Sequence, residues 1–294
     1  MESFCMKYYL LVLVAACALS VNAQQSSITE AEGYSCMGVD YSKKQTEQLA
    51  LQDAKRQAVE FSKSYIESTT EMENFSLKRD LVKAFAQAEV QVLTIVEQKW
   101  DDPTSGDCYT IRIQAEVIPV AQDLKKIAEA GGFKDDPSAP LTVRIWTNKA
   151  ELLENEALKV YLKGNKPFFG RIIYQDASGM QLQLLPNPYR QEAYFQGGVV
   201  YEVPSGLDQF DMVVQAPFGR ESVSVYASTA PLGDIDTSSL GPVLQVQTQD
   251  VAKKTRGIKV VARPVGSSQG SNPVISRVNE FAEDQVMLTT RSAP

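Results

Sequence analysis

The chain has 294 residues, a formal net charge of −7 and no histidine. An acidic balance argues against nucleic acid as a partner, because a footprint on the phosphate backbone rests on clustered Lys and Arg. The missing imidazole closes the Ser-His-Asp triad, the Cys-His dyad and every zinc or haem site that needs histidine.

Residues 1–23 combine a basic Lys7, an apolar run from Tyr8 to Leu19 and the small-residue site Val21-Asn22-Ala23 before Gln24. This pattern predicts a signal peptide and an exported protein, periplasmic or extracellular. An apolar run of about 12 residues is too short to span a bilayer as a helix. Val14-Ala15-Ala16-Cys17 also matches a bacterial lipoprotein box. In that alternative Cys17 is lipidated and tethers the protein to an envelope leaflet; membrane contact is expected only then. Cys5 and Cys17 fall in the leader, which leaves Cys36 and Cys108. In an exported protein these two predict one disulfide, the alternative being two unpaired core residues. The remaining length, about 270 residues, suits two domains.

The first domain is expected over 27–133. Gly33 to Val39 reads as a short strand. Leu51, Ala54, Ala58, Phe61 and Tyr65 share one stripe of an amphipathic helix from about Thr46 to Ser68, and Leu77, Leu81, Phe85 and Ala88 repeat the spacing for a second. Asn74 is the expected cap of that second helix. Val90 to Lys99 and Cys108 to Val117 form a hairpin around an aspartate-rich turn. Tyr109, Ile111, Ile113, Ala115 and Val117 face the helices. A short helix from Ala121 to Ala130 stops at Gly131-Gly132. The Gly-Tyr-Ser-Cys-Met-Gly strand, the helix opening Gln45-Thr46-Glu47-Gln48-Leu49-Ala50 and the closing Cys-Tyr-Thr-Ile-Arg-Ile-Gln-Ala-Glu-Val strand resemble the N-terminal domain of flagellar assembly protein T and related small envelope lipoproteins. The resemblance implies an α+β module with an interaction role and no catalysis.

Residues 134–140 are polar, proline-bearing and aperiodic, as a linker is. From 141 to 292 short alternating strands follow: Leu141 to Trp146, Leu158 to Lys163, Phe168 to Tyr174, Met180 to Leu184, Val199 to Val203, Phe210 to Ala216 and Glu221 to Ser228. Their spacing predicts an all-β, immunoglobulin-like sandwich with Trp146, Tyr161, Phe168, Phe169 and Tyr174 in its core. A helix is expected over Pro242 to Arg256, its basic Lys253-Lys254-Thr255-Arg256 end in solvent. Strands over Ile258 to Arg263 and Val286 to Thr290 flank a polar loop from Gly266 to Pro273. The runs Leu-Thr-Val-Arg-Ile-Trp-Thr-Asn-Lys-Ala-Glu, Leu-Lys-Val-Tyr-Leu-Lys-Gly-Asn-Lys-Pro and Tyr-Gln-Asp-Ala-Ser-Gly-Met-Gln-Leu-Gln-Leu-Leu-Pro-Asn resemble an uncharacterised bacterial domain often appended to caspase-like peptidases and Ser/Thr kinases. Neither enzyme's motifs occur in the chain.

No catalytic residue, cofactor site or metal site emerges from the motifs. The candidate binding loop is Leu185 to Gly198, with Tyr189, Arg190, Tyr194 and Phe195 as its contacts. The expected function is a non-enzymatic cell-envelope protein that binds or scaffolds envelope proteins or glycans. Two alternatives stand beside it: a glycan hydrolase working through paired carboxylates, and a lipid-anchored structural component.

Overall fold

Strand β1 covers Gln24–Cys36, nine residues earlier than the glycine-bearing strand expected from Gly33. Its first half is polar yet buried, because each side chain finds a partner: Gln25 Nε2 donates to the Leu141 carbonyl at 2.9 Å, Ser26 Oγ to Glu116 at 2.6 Å and Ser27 Oγ to Ser62 Oγ at 2.8 Å. Polar residues so satisfied lose little on burial. The structure, a computed structural model, describes residues 24–71, 75–101, 106–129, 135–206, 208–241, 243–256 and 278–294. The expected leader with Cys5 and Cys17, the Asn74 cap, the Gly131-Gly132 stop, the Ile258 to Arg263 strand and the Gly266 to Pro273 loop lie outside the described residues.

Helix α1, Lys43–Thr69, begins in a capping box in which Ser42 and Gln45 each accept from the other's backbone N–H. Its innermost line is Thr46, Ala50, Ala54, Ala58, Ser62 and Ile66, one residue to the side of the expected stripe at several turns. Leu51, Phe61 and Tyr65 flank it, half-buried. The small residues let the helix sit directly on β1 at Gly33, where an added Cβ would lie 2.0 Å from the Ala50 carbonyl oxygen. Helix α2, Phe75–Ala86, seals the core with Leu81 and Phe85.

Strands β2, Glu89–Trp100, and β3, Cys108–Ile118, form the expected hairpin, and the Tyr109 to Val117 set faces the helices. β2 is a sheet edge with register shifts at Val92/Thr94 and Ile95/Glu97, irregularities that discourage edge-to-edge pairing. Cys36 and Cys108 are direct cross-strand partners joined by a disulfide. Such a bond fits an exported protein. Helix α3, Ala121–Glu129, closes this half. Among the described residues no helix is long and apolar enough to cross a membrane.

Among the described residues the regular elements of the second half are strands apart from one short helix. It comprises β4 Val143–Thr147, β5 Glu151–Leu153, β6 Val160–Gly164, β7 Phe168–Gln175, β8 Gln181–Leu185, β9 Tyr194–Phe195, β10 Tyr201–Val203, β11 Arg220–Ser228, β12 Thr237–Leu240, β13 Val243–Val246, helix α4 Val251–Thr255 and β14 Asn279–Arg291. Residues 210–216 contribute only an isolated bridge at Val213, not the expected strand. Of the helix expected from Pro242 to Arg256, Val243–Val246 is strand β13, paired with β12, and only Val251–Thr255 is helical. β10, β6 and β4 form a three-stranded sheet whose inner side chains, among them Val143, Ile145, Val160, Leu162 and Val203, share one core with Ile172, Val223, Val225 and Leu288 of the larger sheet.

That larger sheet is mostly antiparallel and runs β12-β13-β8-β7-β11-β14-β1-β3-β2, with β5 and β9 joined at its sides. β14 pairs with β11 along nine residues and with Gln24 to Ile28 of β1, so one sheet passes through both halves of the sequence. The intervening residues 135–140 are held too. Asn165 Nδ2 donates to the carbonyls of Asp136, Ala139 and Pro140, and Ala139 is buried in the first core.

Candidate functional site

A cleft of about 1000 Å³ opens between the two halves. One wall comes from β3's end and α3, with Ile118, Pro119, Ala121, Gln122, Leu124 and Lys125; the other from the β4–β6 pair, with Arg144, Trp146 and Lys163; Gln24 and Gln25 lie between. Strand alternation explains the second wall. Val143 and Ile145 point into the core, so Arg144 and Trp146 point outward, and antiparallel register sets them opposite Lys163 and Tyr161. Trp146 and Tyr161 stack with centroids 5.8 Å apart and 18° between planes. The sequence reading puts both in the core; both instead stand on the outer face, because β4 and β6 are covered on one side only.

The charge of the cleft is opposite to that of the chain. Among the described residues its lining holds Lys125, Arg144 and Lys163 against a single carboxylate, Asp135, which pairs with Lys163 at 2.7 Å. The Arg144 side chain is exposed and, among the described residues, in no hydrogen bond or ion pair. Behind the wall, half-buried Asp284 of β14 accepts the Ile145 N–H at 2.8 Å and fixes β4 against the large sheet. Burial raises the Asp284 carboxyl above its ordinary value, against the lowering effect of that hydrogen bond and of Arg144.

Two ion clusters hold the halves together on either side of β1 and β14. On one side Glu280, nearly fully buried, accepts from Tyr65 Oη at 3.1 Å, from Lys166 Nζ at 3.0 Å and from the Leu141 N–H. On the other, Arg256 Nε lies 2.7 Å from Glu116 and its Nη2 3.0 Å from Glu283, with the guanidinium over the Phe281 ring. The basic run expected in solvent therefore ends in a buried arginine. α4 turns Thr255 and Arg256 onto the sheet, where Arg171 Nη1 donates to Thr255 Oγ1 at 2.9 Å. Desolvation raises Glu283 more than Arg256 lowers it, and Glu116 adds to the rise. Glu116 and Glu283 thus converge on one guanidinium. The cavity beside Arg256 holds about 10 Å³, roughly the room one water needs.

The expected binding loop divides. Tyr189 and Tyr194 are 52 % and 41 % exposed, the latter tilted against Phe169. Phe195 is 1 % exposed and stacks on Phe168 within the core, so it is no surface contact: β9 pairs with β7, and alternation turns Phe195 inward as Tyr194 turns outward. Arg190 is tied to Asp208 at 3.2 Å. None of the four lines the cleft. Among the described residues no three His, Cys, Asp or Glu side chains gather as a metal site.

A model for a domain of unknown function (DUF4384) matches residues 151–231. That stretch runs from β5 through β11 and includes Lys163 of the cleft wall and the Tyr161 ring that stacks on Trp146. No curated protein and no solved structure matches the chain.

Proposed function

We propose that this is an exported cell-envelope protein, periplasmic or extracellular, that acts without catalysis as a binding or scaffolding module and receives its partner in the cleft between the two halves. The observation that carries the reading is the lining, which among the described residues sets three cations, an indole and several amides around a single carboxylate that is already paired. A binding surface needs such groups, whereas glycan hydrolysis needs two carboxylates facing one sugar across a gap. In the same reading the second half is an immunoglobulin-like sandwich, with the three-stranded sheet as its smaller layer, and the first half is the α+β interaction module that its resemblance to the flagellar assembly protein T family implies.

A photoreactive residue placed at Gln122, inside the cleft, and in a separate variant at exposed Val39, outside its lining, tests the reading in the native cell envelope. Adducts that form at Gln122 and not at Val39 support it. Equal labelling at the two positions, or none at Gln122, overturns it.

A further inference from the structure

We infer that the cleft takes a carboxylate-bearing glycan chain, a polyuronate in chemical class, with Trp146 as its platform and Arg144 as its anion contact. The inference rests on the cleft being the binding site and names the ligand. Three observations converge on it. The first is the indole of Trp146, which lines the cleft and is braced by Tyr161. A fixed aromatic face with a negative quadrupole suits the polarised C–H face of a pyranose ring, and its bracing removes ordering cost on binding.

The second is charge. In a chain of net charge −7 the described lining carries Lys125, Arg144 and Lys163 against Asp135. Lys163 is engaged by Asp135, and Lys125 lies 4.0 Å from Glu129 on an exposed helix face, which leaves the Arg144 guanidinium, near the Asp284 carboxyl behind the wall but in no ion pair among the described residues, as the most open of the three. A guanidinium fork matches a carboxylate in geometry as well as charge. The third is the amides. Gln24 and Gln122 line the same cleft. Each side-chain amide both donates and accepts, as a sugar hydroxyl does. Gln25 and Asn165, by contrast, are engaged by the backbone at 139–141 and shape the floor. An acidic peptide would use the cations but would have no use for the indole platform beside them.

Calorimetry on the intact chain decides this with three probes: a galacturonic acid hexamer, maltohexaose as its neutral counterpart, and poly-L-glutamate as an anion without sugar rings. The hexauronate should bind, maltohexaose should not, and poly-L-glutamate should bind about tenfold more weakly or not at all. Trp146→Ala should weaken hexauronate binding by about tenfold and Trp146→Phe by much less, since the ring is the contact. Arg144→Gln should weaken it by about tenfold while leaving thermal unfolding unchanged. Equal binding of poly-L-glutamate, unchanged affinity in Trp146→Ala, or no binding of the hexauronate overturns the inference. If the hexauronate fails while Gln122 still cross-links in the envelope, the ligand assignment falls and the binding cleft stands.

Discussion

Arg256 Nε and Glu116 Oε1 meet at 2.7 Å although 140 residues separate them, and both side chains are withdrawn from water. Removing one partner of such a pair leaves the other charge buried without compensation. Arg256→Met should cost about 3–5 kcal/mol in urea denaturation, and Glu116→Gln added to it should recover much of that loss. If the double variant is as unstable as the single, the pair is not the source of the effect.

Asp284 gives the stability a defined pH dependence. Its folded-state carboxyl titrates above the ordinary value because burial disfavours the charged form. The stability it contributes is therefore complete below the ordinary carboxylate value and is lost as pH rises through the raised folded value. Asp284→Asn keeps an oxygen for the Ile145 N–H without the charge. The melting temperature of this variant relative to wild type should rise between about pH 4 and pH 7. A difference that stays flat across that range sinks the assignment.

Gly33 tolerates no side chain. A Cβ there would sit 2.0 Å from the Ala50 oxygen and 2.3 Å from the Ala54 nitrogen, both helix backbone. Gly33→Ala must lift α1 from β1, and we expect a loss of about 3 kcal/mol or more in chemical denaturation. Stability within experimental error of wild type would show that the helix can shift freely.

The disulfide closes a sequence separation of 72 residues. Cys36→Ala/Cys108→Ala should lower stability by about 4 kcal/mol in the chain-entropy account, and reductant should lower the melting temperature of wild type but not of the double variant. Equal sensitivity of the two proteins to reductant would contradict this.

Phe195 and Tyr189 share a loop region but not a role. Phe195→Ala removes a buried ring and should cost about 3–5 kcal/mol. Tyr189→Ala, at an exposed position, should change stability by about 0.5 kcal/mol or less. Comparable losses from the two would mean that Tyr189 is also structural.

Elements whose signal is local are legible in the sequence. The hairpin of β2 and β3, the three helices of the first half and the strands β6, β7 and β11 all follow from periodicity and turn residues. The departures have one cause: partners distant in sequence. Gln24 to Ser27 is polar and gives no strand signal, yet it is strand because Glu116, Ser62 and Leu141 satisfy it. Large residues draw the expected helix stripe toward themselves, while the tightest contact belongs to Ala50, Ala54 and Ala58, whose small size matters only opposite Gly33. Size alone sends Trp146 and Tyr161 inward, although their alternation with Ile145 and Leu162 puts them on the opposite face. Pairing β4 with β6 by that alternation is enough to gather Arg144, Trp146, Tyr161 and Lys163 on one surface. Arg256 has no such local cue, since nothing near it in sequence announces Glu116.

The pairing of β1 with β14 also makes the joining contacts of the fold its most distant ones. Gln24 to Ile28 are hydrogen-bonded by residues 279–283, across all of the intervening sequence. β3 can join β1 from within the first half, but the other edge of Gln24 to Ile28 stays open until β14 docks. Unpaired strand edges in a partly folded chain are sites of misassociation. Docking of β14, which pairs with both β1 and β11, covers that edge and locks both halves at once.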